Sequence, residues 1–225
     1  MIYWVIFLAT AVLSWAVGNA LKRKFKEYSQ IPTTNQISGK EVAEKFLRDS
    51  DVPDVCVVCT AGSLTDHYNP ATKTINLSKD VYYGTNVAAA AVAAHECGHA
   101  IQHAQAYYWL SFRSKLVPVV SFASQWVMWV LLAGMLLIKA FPNLMLIGII
   151  LFALITLFSF VTLPVEINAS KRALVWLNSS NITSAESHPK AEHALRLAAY
   201  TYVIAALSSL ATLLYYIMIF MGRRN

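Results

Sequence analysis

Four long apolar stretches constrain the fold of this chain more than any other feature of its sequence. They lie at residues 2–21, 116–138, 144–163 and 197–221. Each has about the 20 apolar residues that an α-helix needs to cross a bilayer. Hydrophobic residues make up 57% of the 225 residues and charged residues 13%, whereas about 25% of an average soluble domain is charged. These numbers exclude a soluble globular protein and predict a mainly α-helical membrane protein with four transmembrane helices.

The flanks of the stretches predict how they enter the membrane. No basic residue precedes the first stretch, and Lys22, Arg23, Lys24 and Lys26 follow it, which is typical of a retained anchor and not of a cleaved signal peptide. Residues 139–143 separate the second stretch from the third, and Pro142 breaks the helix there. We therefore expect the second and third stretches to form a transmembrane hairpin.

The positions of the basic residues predict the orientation. Residues 22–115 and 164–196 together carry 15 of the 18 lysines and arginines, so the positive-inside rule places both segments in the cytoplasm. Arg223 and Arg224 then fall on the outer side, and a fourth stretch that folds back without crossing is the alternative. This topology explains the net charge of +6 without a nucleic-acid partner.

Residues 22–115 are long enough for a small α+β domain. Cys56 and Cys59 belong to a strand-like run, and we expect both side chains to be buried as small apolar groups, because a lone C-x-x-C lacks the second pair of a zinc site. The predicted elements are a helix opening at residues 38–41, strands at 55–59, 67–70 and 73–78, and an alanine-rich helix at about 86–105.

The alanine-rich helix contains the motif His95-Glu96-Cys97-Gly98-His99. One helical turn separates the two histidines, so their imidazoles project from one face with a rise of about 6 Å between them. Two nitrogens in this position can bind one zinc ion at about 2.0–2.1 Å, and the intervening glutamate can reach a water on the same ion. Cys97 lies on the opposite side of the helix, where packing is the expected role.

A catalytic zinc site needs a third protein ligand and an open fourth position. A third histidine ten residues after the first is absent, because that position is Gln105. His103 shares the helical face but lies about 12 Å along the axis from His95, so one ion cannot bind both. His103 is therefore expected at the surface or beside a ligand.

Glu166 is the best candidate for the third ligand. It follows the third apolar stretch by about one turn, where a carboxylate is costly unless it is paired or bound to a metal. An ion pair with Lys171 or Arg172 is the alternative explanation. The other acidic and imidazole groups that we considered are Asp66, His67, Glu186, Glu192 and His193.

Four segments of the chain match the pattern of one known family: residues 62–68, 75–78, 93–102 and 164–170. In these segments the chain resembles the YugP-like neutral zinc metallopeptidases of bacterial membranes. The family is distantly similar to the HtpX and CAAX prenyl endopeptidases, which also separate the zinc motif from a glutamate by two spans. The resemblance implies a zincin-like catalytic domain of the gluzincin type, with His95, His99 and Glu166 as zinc ligands and Glu96 as general base. The distant relatives have an aspartate four residues after the glutamate, and here that residue is Ser170, a weaker partner for a histidine ligand.

The resemblance also implies the reaction, which is hydrolysis of peptide bonds with Zn²⁺ as the cofactor. His193 and Arg172 are candidate donors to the oxyanion, with headgroup or helix-surface contact as the alternative. The strand that carries Thr74, Asn76 and Ser78 is a candidate substrate site, because relatives of this fold type bind an extended peptide against an edge strand. An ordinary hairpin strand is the alternative here.

Together these observations predict an integral protein of the bacterial cell membrane with a cytoplasmic catalytic domain. The expected partners are membrane-associated polypeptide substrates and the lipid bilayer, and an accessory membrane protein or an oligomer is left open. The alternative function is a proteolytically inactive zinc-binding scaffold, whereas a transporter is weakly supported because the spans lack charged residues at mid-depth. The predicted domains are an anchor (1–21), a catalytic domain (22–115), a transmembrane hairpin (116–163), a cytoplasmic segment with the third ligand (164–196), and a helix with its tail (197–225).

Overall fold

The computed structural model describes residues 2–222, and these form seven α-helices and three β-strands. In chain order they are α1 (Ile2–Tyr28), α2 (Gly39–Asp49), β1 (Cys56–Thr60), β2 (His67–Asn69), β3 (Thr74–Ser78), α3 (Lys79–Tyr82), α4 (Val87–Ala104), α5 (Tyr108–Leu136), α6 (Pro142–Ser179) and α7 (His188–Gly222). The prediction of a mainly helical chain with a small sheet is therefore confirmed. The predicted tail with Arg223 and Arg224 lies outside the described residues.

Within residues 2–222, helices α5, α6 and α7 are long and apolar enough to cross a membrane. They contain the second, third and fourth predicted spans. The first predicted span begins on residues whose side chains lie outside the described part of the chain, so it stays a prediction. The cytoplasmic orientation of the polar segments also stays a prediction.

The chain divides into two compact units, and the first contains most of the apolar sequence. It consists of Met1–Ala16, Ser111–Pro164 and Thr201–Asn225. Leu131, Met145 and Ile149 form a buried apolar cluster in it. A Cβ placed on Gly134 would lie 2.7 Å from the Met145 Cα, so glycine permits α5 and α6 to approach each other closely at this point.

The second unit consists of Val17–Leu110 and Val165–Tyr200, and α2 and α4 pack together in its core. Helix α2 begins with a capping box between Ser38 and Glu41, as predicted. Its apolar face is buried, and Phe46 stacks on Trp176 with ring centroids 4.4 Å apart. Asn86 caps α4 by accepting a hydrogen bond from the Ala89 amide at 2.9 Å. The small, buried alanine side chains at the start of α4 allow its neighbours to pack closely around it.

Among the described residues, the three strands form one sheet in the order β1-β3-β2. Strand β3 pairs in parallel with β1 and antiparallel with β2, so it has a neighbour on each side. Residues 74–78 therefore form the central strand, and not the edge strand on which the candidate substrate site was based. The free edges of the sheet belong to β1 and β2.

The edge position of β1 also corrects the prediction for two cysteines. Cys56 and Cys59 are exposed, although both were expected to be buried. Within residues 2–222 their strand pairs with a neighbour on one side only, so the core covers it incompletely. The partly buried Val57 packs against that core.

Candidate metal centre

Helix α4 presents the two histidines of the H-E-x-x-H motif on one face, as the sequence predicts. The side chains of His95 and His99 are largely buried, and their ring centroids lie 4.8 Å apart. Cys97, between them, is buried on the other side, and its Sγ donates to the Ala43 carbonyl at 3.5 Å. Burial raises the pKa of the Cys97 thiol well above its ordinary value, which agrees with the predicted packing role.

Close packing of α4 on α6 brings Glu166 to the two histidines. A Cβ on Gly98 would lie 2.7 Å from the Ala169 carbonyl oxygen, so a larger residue at position 98 would push the helices apart. Glu166 Oε2 lies 3.3 Å from His95 Nε2 and 3.6 Å from His99 Nε2. One ligand atom from each of the three residues lies within 4.8 Å of the others.

The chemistry of the three residues fits a zinc ion. Two ligand atoms at about 2.0–2.1 Å from a tetrahedral ion are about 3.3–3.4 Å apart, which matches the separation between Glu166 and each histidine. Imidazole nitrogens and a carboxylate oxygen are ligands that zinc prefers. The arrangement is therefore that of a candidate metal centre.

The electrostatics of the cluster follow from its burial. Glu166 is only 3% exposed, and a buried carboxylate is unfavourable unless cationic or hydrogen-bonding groups compensate for the lost water. Burial alone would lower the pKa of His99, but its hydrogen bond with Glu166 and the nearby carboxylates of Glu96 and Glu166 raise that pKa above its ordinary value. The two histidines and Glu166 thus stabilise one another.

Each histidine has a neutral partner at Nδ1. Ser170 Oγ lies 3.1 Å from His95 Nδ1, and Gln102 Oε1 lies 3.1 Å from His99 Nδ1. The serine that replaces the aspartate of the distant relatives therefore contacts a histidine of the cluster. Both contacts leave Nε2 directed towards Glu166.

The side chain of Glu96 is positioned by a hydrogen bond from β2, an edge strand of the sheet. Glu96 as a whole residue is 8% exposed, and its Oε2 accepts a hydrogen bond from the Tyr68 backbone amide at 3.0 Å. Because Tyr68 belongs to edge strand β2, the centre of that strand lies directly beside Glu96. This contact could not be predicted from the sequence, because local patterns do not show which helix a strand faces.

The structure places the other candidate catalytic residues as follows. His193 Nδ1 lies 2.7 Å from the Tyr28 hydroxyl. Arg172 donates from Nε to Asn168 Oδ1 and from Nη1 to Gln105 Oε1, each at 2.7 Å. The described contacts of Arg172 therefore join α6 to the C-terminal end of α4. A role of His193 or Arg172 as a donor to the oxyanion stays a prediction.

The predicted substrate residues on β3 make internal contacts. Ser78 is buried, and its amide and hydroxyl both donate to the Asp66 carboxylate. Asn76 donates to Thr74 Oγ1 at 3.2 Å. These bonds and the central position of β3 make it a poor strand for substrate. His67, considered as a metal ligand, instead contacts the Thr65 carbonyl at 2.8 Å through Nδ1.

Apolar helices and a two-histidine, one-glutamate cluster define this chain as a membrane-type protein with a candidate zinc centre. The chain belongs to the family described as "putative neutral zinc metallopeptidase", whose model matches residues 3–221. It is 41% identical over 223 residues, or 98% of each chain, to a protein of Bacillus subtilis (strain 168) named "Putative membrane protease YugP". No solved structure matches the chain. The family implies Zn²⁺ as the cofactor, in agreement with the prediction, and the family and this relative support a protease.

Proposed function

We propose that the protein is an integral membrane zinc endopeptidase that hydrolyses membrane-associated polypeptides. The observation that carries the proposal is the convergence of His95, His99 and Glu166, with the Glu96 carboxylate near enough to His99 to act on its charge. The three converging residues would hold the zinc ion, which leaves one coordination position for water or substrate. This donor set corresponds to the gluzincin type that the family resemblance implies.

The proposed mechanism assigns the proton transfers to Glu96. A bound zinc ion supplies Lewis acidity, which makes water more acidic and polarises a peptide carbonyl. Glu96 accepts a proton from the attacking water as the new carbon–oxygen bond forms. It then donates that proton to the nitrogen of the leaving amine as the peptide bond breaks. The Tyr68 amide, 3.0 Å from Oε2, fixes the carboxylate for these steps.

The sheet suggests where an extended substrate lies. Among the described residues, β2 pairs only with β3, and its outer edge faces Glu96 through Tyr68. A substrate peptide that adds as a strand beside β2 would have its backbone next to the catalytic carboxylate. The proposed substrate strand is therefore β2, in place of β3.

The apolar helices support a membrane-associated substrate. Glu166 follows the apolar stretch 144–163 by three residues, and α5, α6 and α7 have the length and composition of spans. We retain four spans, a cytoplasmic catalytic domain and a location in the bacterial cell membrane as parts of the proposal. His193, whose Nδ1 contacts the Tyr28 hydroxyl, remains a candidate oxyanion donor.

Quantitative membrane proteomics tests this function against the scaffold alternative. Cells with the wild-type protein are compared with cells that carry Glu96→Gln, and with a control that carries Glu186→Gln at an exposed position. We expect full-length membrane-associated polypeptides to accumulate with Glu96→Gln alone. Identical peptide profiles in all three strains, with co-purifying partners retained by Glu96→Gln, would support the scaffold.

Substitutions of Ser170 should change zinc affinity in opposite directions. A hydrogen-bond partner of a metal-binding histidine is typically worth about 10–100-fold in metal affinity, and a carboxylate partner increases the basicity of the imidazole. We expect Ser170→Ala to weaken zinc binding by about tenfold and Ser170→Asp to strengthen it. Competition with a zinc chelator measures both values.

The control for this prediction is Ser179→Ala. Ser179 lies on the same helix, and its hydroxyl bonds to the Trp176 carbonyl at 3.1 Å, so its loss should leave zinc affinity unchanged. A change of the same sign for Ser170→Ala and Ser170→Asp would contradict the assigned role of Ser170.

A further inference from the structure

Gln102 connects the two helices that form the metal cluster. It lies on α4 three residues after His99, and it is fully buried. Its side-chain Oε1 lies 3.1 Å from His99 Nδ1. Its Nε2 donates to the Val165 carbonyl at 2.9 Å and to Asn168 Oδ1 at 3.0 Å. The first contact is with a histidine of the cluster, and the other two are with the turn of α6 that carries Glu166.

The orientation of the Gln102 amide follows from its neighbours. The Val165 carbonyl can only accept a hydrogen bond, so the group that faces it must be the NH₂ group. Arg172 has only donors, and its Nε lies 2.7 Å from Asn168 Oδ1, so the Asn168 atom at this position is an acceptor oxygen. Both acceptors therefore orient the Gln102 NH₂ group towards α6 and Oε1 towards His99.

This orientation determines the tautomer of His99. Since Gln102 Oε1 is an acceptor, the proton of the neutral imidazole must be on Nδ1, and the lone pair must be on Nε2. Nε2 is the atom that lies 3.6 Å from Glu166 Oε2. His95 lacks such a constraint from its own partner, because the Ser170 hydroxyl can either donate or accept.

We propose that Gln102 is a positioning residue that holds His99 in the tautomer able to bind the metal. Arg172 acts through Asn168 on the orientation of Gln102, so the chain of contacts runs from Arg172 to His99 and joins α6 to α4. This proposal rests on the proposed zinc site. In this proposal Arg172 supports the metal centre, and it does not act as a donor to the oxyanion.

The test compares Gln102→Met and Gln102→Glu in the purified full-length protein. Methionine keeps the approximate shape but removes every hydrogen bond, whereas glutamate keeps an oxygen acceptor for His99. We expect Gln102→Met to weaken zinc binding by about 10–100-fold and Gln102→Glu to recover most of that loss. Zinc affinity is measured by competition with a chelator.

A second measurement separates positioning from packing. In the zinc-free protein, Gln102→Glu should have the lower unfolding temperature, because it places an acidic group in a buried site against the Val165 carbonyl and Asn168 Oδ1. The order of the two variants in stability is therefore opposite to their order in zinc affinity. A purely structural role would give the same order in both measurements and would overturn the proposal.

The control is Gln30→Met. Gln30 is exposed, and its described side-chain contact, from Nε2 to Ser29 Oγ at 3.4 Å, lies outside the chain of contacts that runs from Arg172 to His99. We expect it to change zinc affinity by less than about threefold. If Gln102→Met does not fold, Asn168→Ala removes one acceptor of Gln102 at a half-buried position and should weaken zinc binding by about three- to tenfold.

The outcomes distinguish this proposal from the proposed function. If the wild-type protein binds no zinc, the metal site itself is wrong. If the wild type binds zinc tightly and Gln102→Met or Asn168→Ala binds it equally well, the site stands and the role of Gln102 is wrong.

Discussion

Replacing Glu96 with glutamine is expected to lower kcat by about 10²–10⁴-fold, the usual contribution of a general base. The glutamine side chain has nearly the same shape, and its Oε1 can still accept the hydrogen bond that the Tyr68 amide donates at 3.0 Å. It cannot take a proton from water at neutral pH. The change therefore removes the proton transfer and preserves the geometry around it.

Zinc content shows whether the loss of activity is chemical. His95, His99 and Glu166 are unchanged in Glu96→Gln, so we expect the purified variant to keep the zinc stoichiometry of the wild type. The measurement is hydrolysis of a quenched fluorescent peptide or of a substrate found by proteomics, together with metal analysis of the same sample. The exposed control Glu186→Gln should keep the wild-type kcat. A Glu96→Gln variant that turns over substrate at the wild-type rate would exclude Glu96 as the base.

The parts of the fold that the sequence predicts well depend on residues close together in the chain. The capping box of Ser38 and Glu41 and the apolar face of α2 follow from spacings of three and four residues. His95 and His99 project from the same face of α4 because they are one helical turn apart. Glu166 could also be selected, because a carboxylate just after an apolar stretch requires a partner and because the segment resembles that of a known family.

The parts that could not be predicted depend on contacts between distant segments. Strands β2 and β3 form the expected antiparallel pair around a turn, but the pattern of residues 55–59 did not show that β1 would pair with the other side of β3. That pairing makes β3 central and leaves β2 as the strand beside Glu96. The exposure of Cys56 and Cys59 has the same origin, because hydrophobic character alone does not distinguish an edge strand from a central one.

The hydrogen bonds that support the cluster could not be predicted from the sequence either. Gln102 lies on the buried side of α4, where a helical pattern would favour an apolar residue. Its fully buried amide is stable there because three hydrogen bonds satisfy it. A buried polar residue one turn after a histidine of the H-E-x-x-H motif is the signal that could have been used, but its partners on α6 are more than 60 residues away in the chain.

Glu166→Gln is expected to have the largest effect on metal binding, because it replaces the proposed anionic ligand with a neutral amide. Loss of a hydrogen-bond partner of a ligand typically costs about 10–100-fold in metal affinity, and loss of the ligand itself should exceed this. Glutamine keeps the shape of the buried side chain and its contacts near His95 and His99. We therefore expect the zinc-free variant to remain folded while its zinc affinity and its peptidase activity are lost.

Thermal unfolding with and without zinc measures this loss independently of activity. A ligand present at 100 times its Kd stabilises the folded protein by about 2.7 kcal/mol, and a 100-fold weaker Kd reduces this to about 0.4 kcal/mol. The rise in unfolding temperature on addition of zinc should therefore nearly vanish in Glu166→Gln. Glu192→Gln is the control, since Glu192 is exposed on α7 and is one of the other acidic residues considered as the third ligand. If Glu192→Gln abolished the zinc-dependent shift and Glu166→Gln retained it, the third ligand would have to be reassigned, because a tetrahedral site with one open position requires one further protein ligand besides the two histidines.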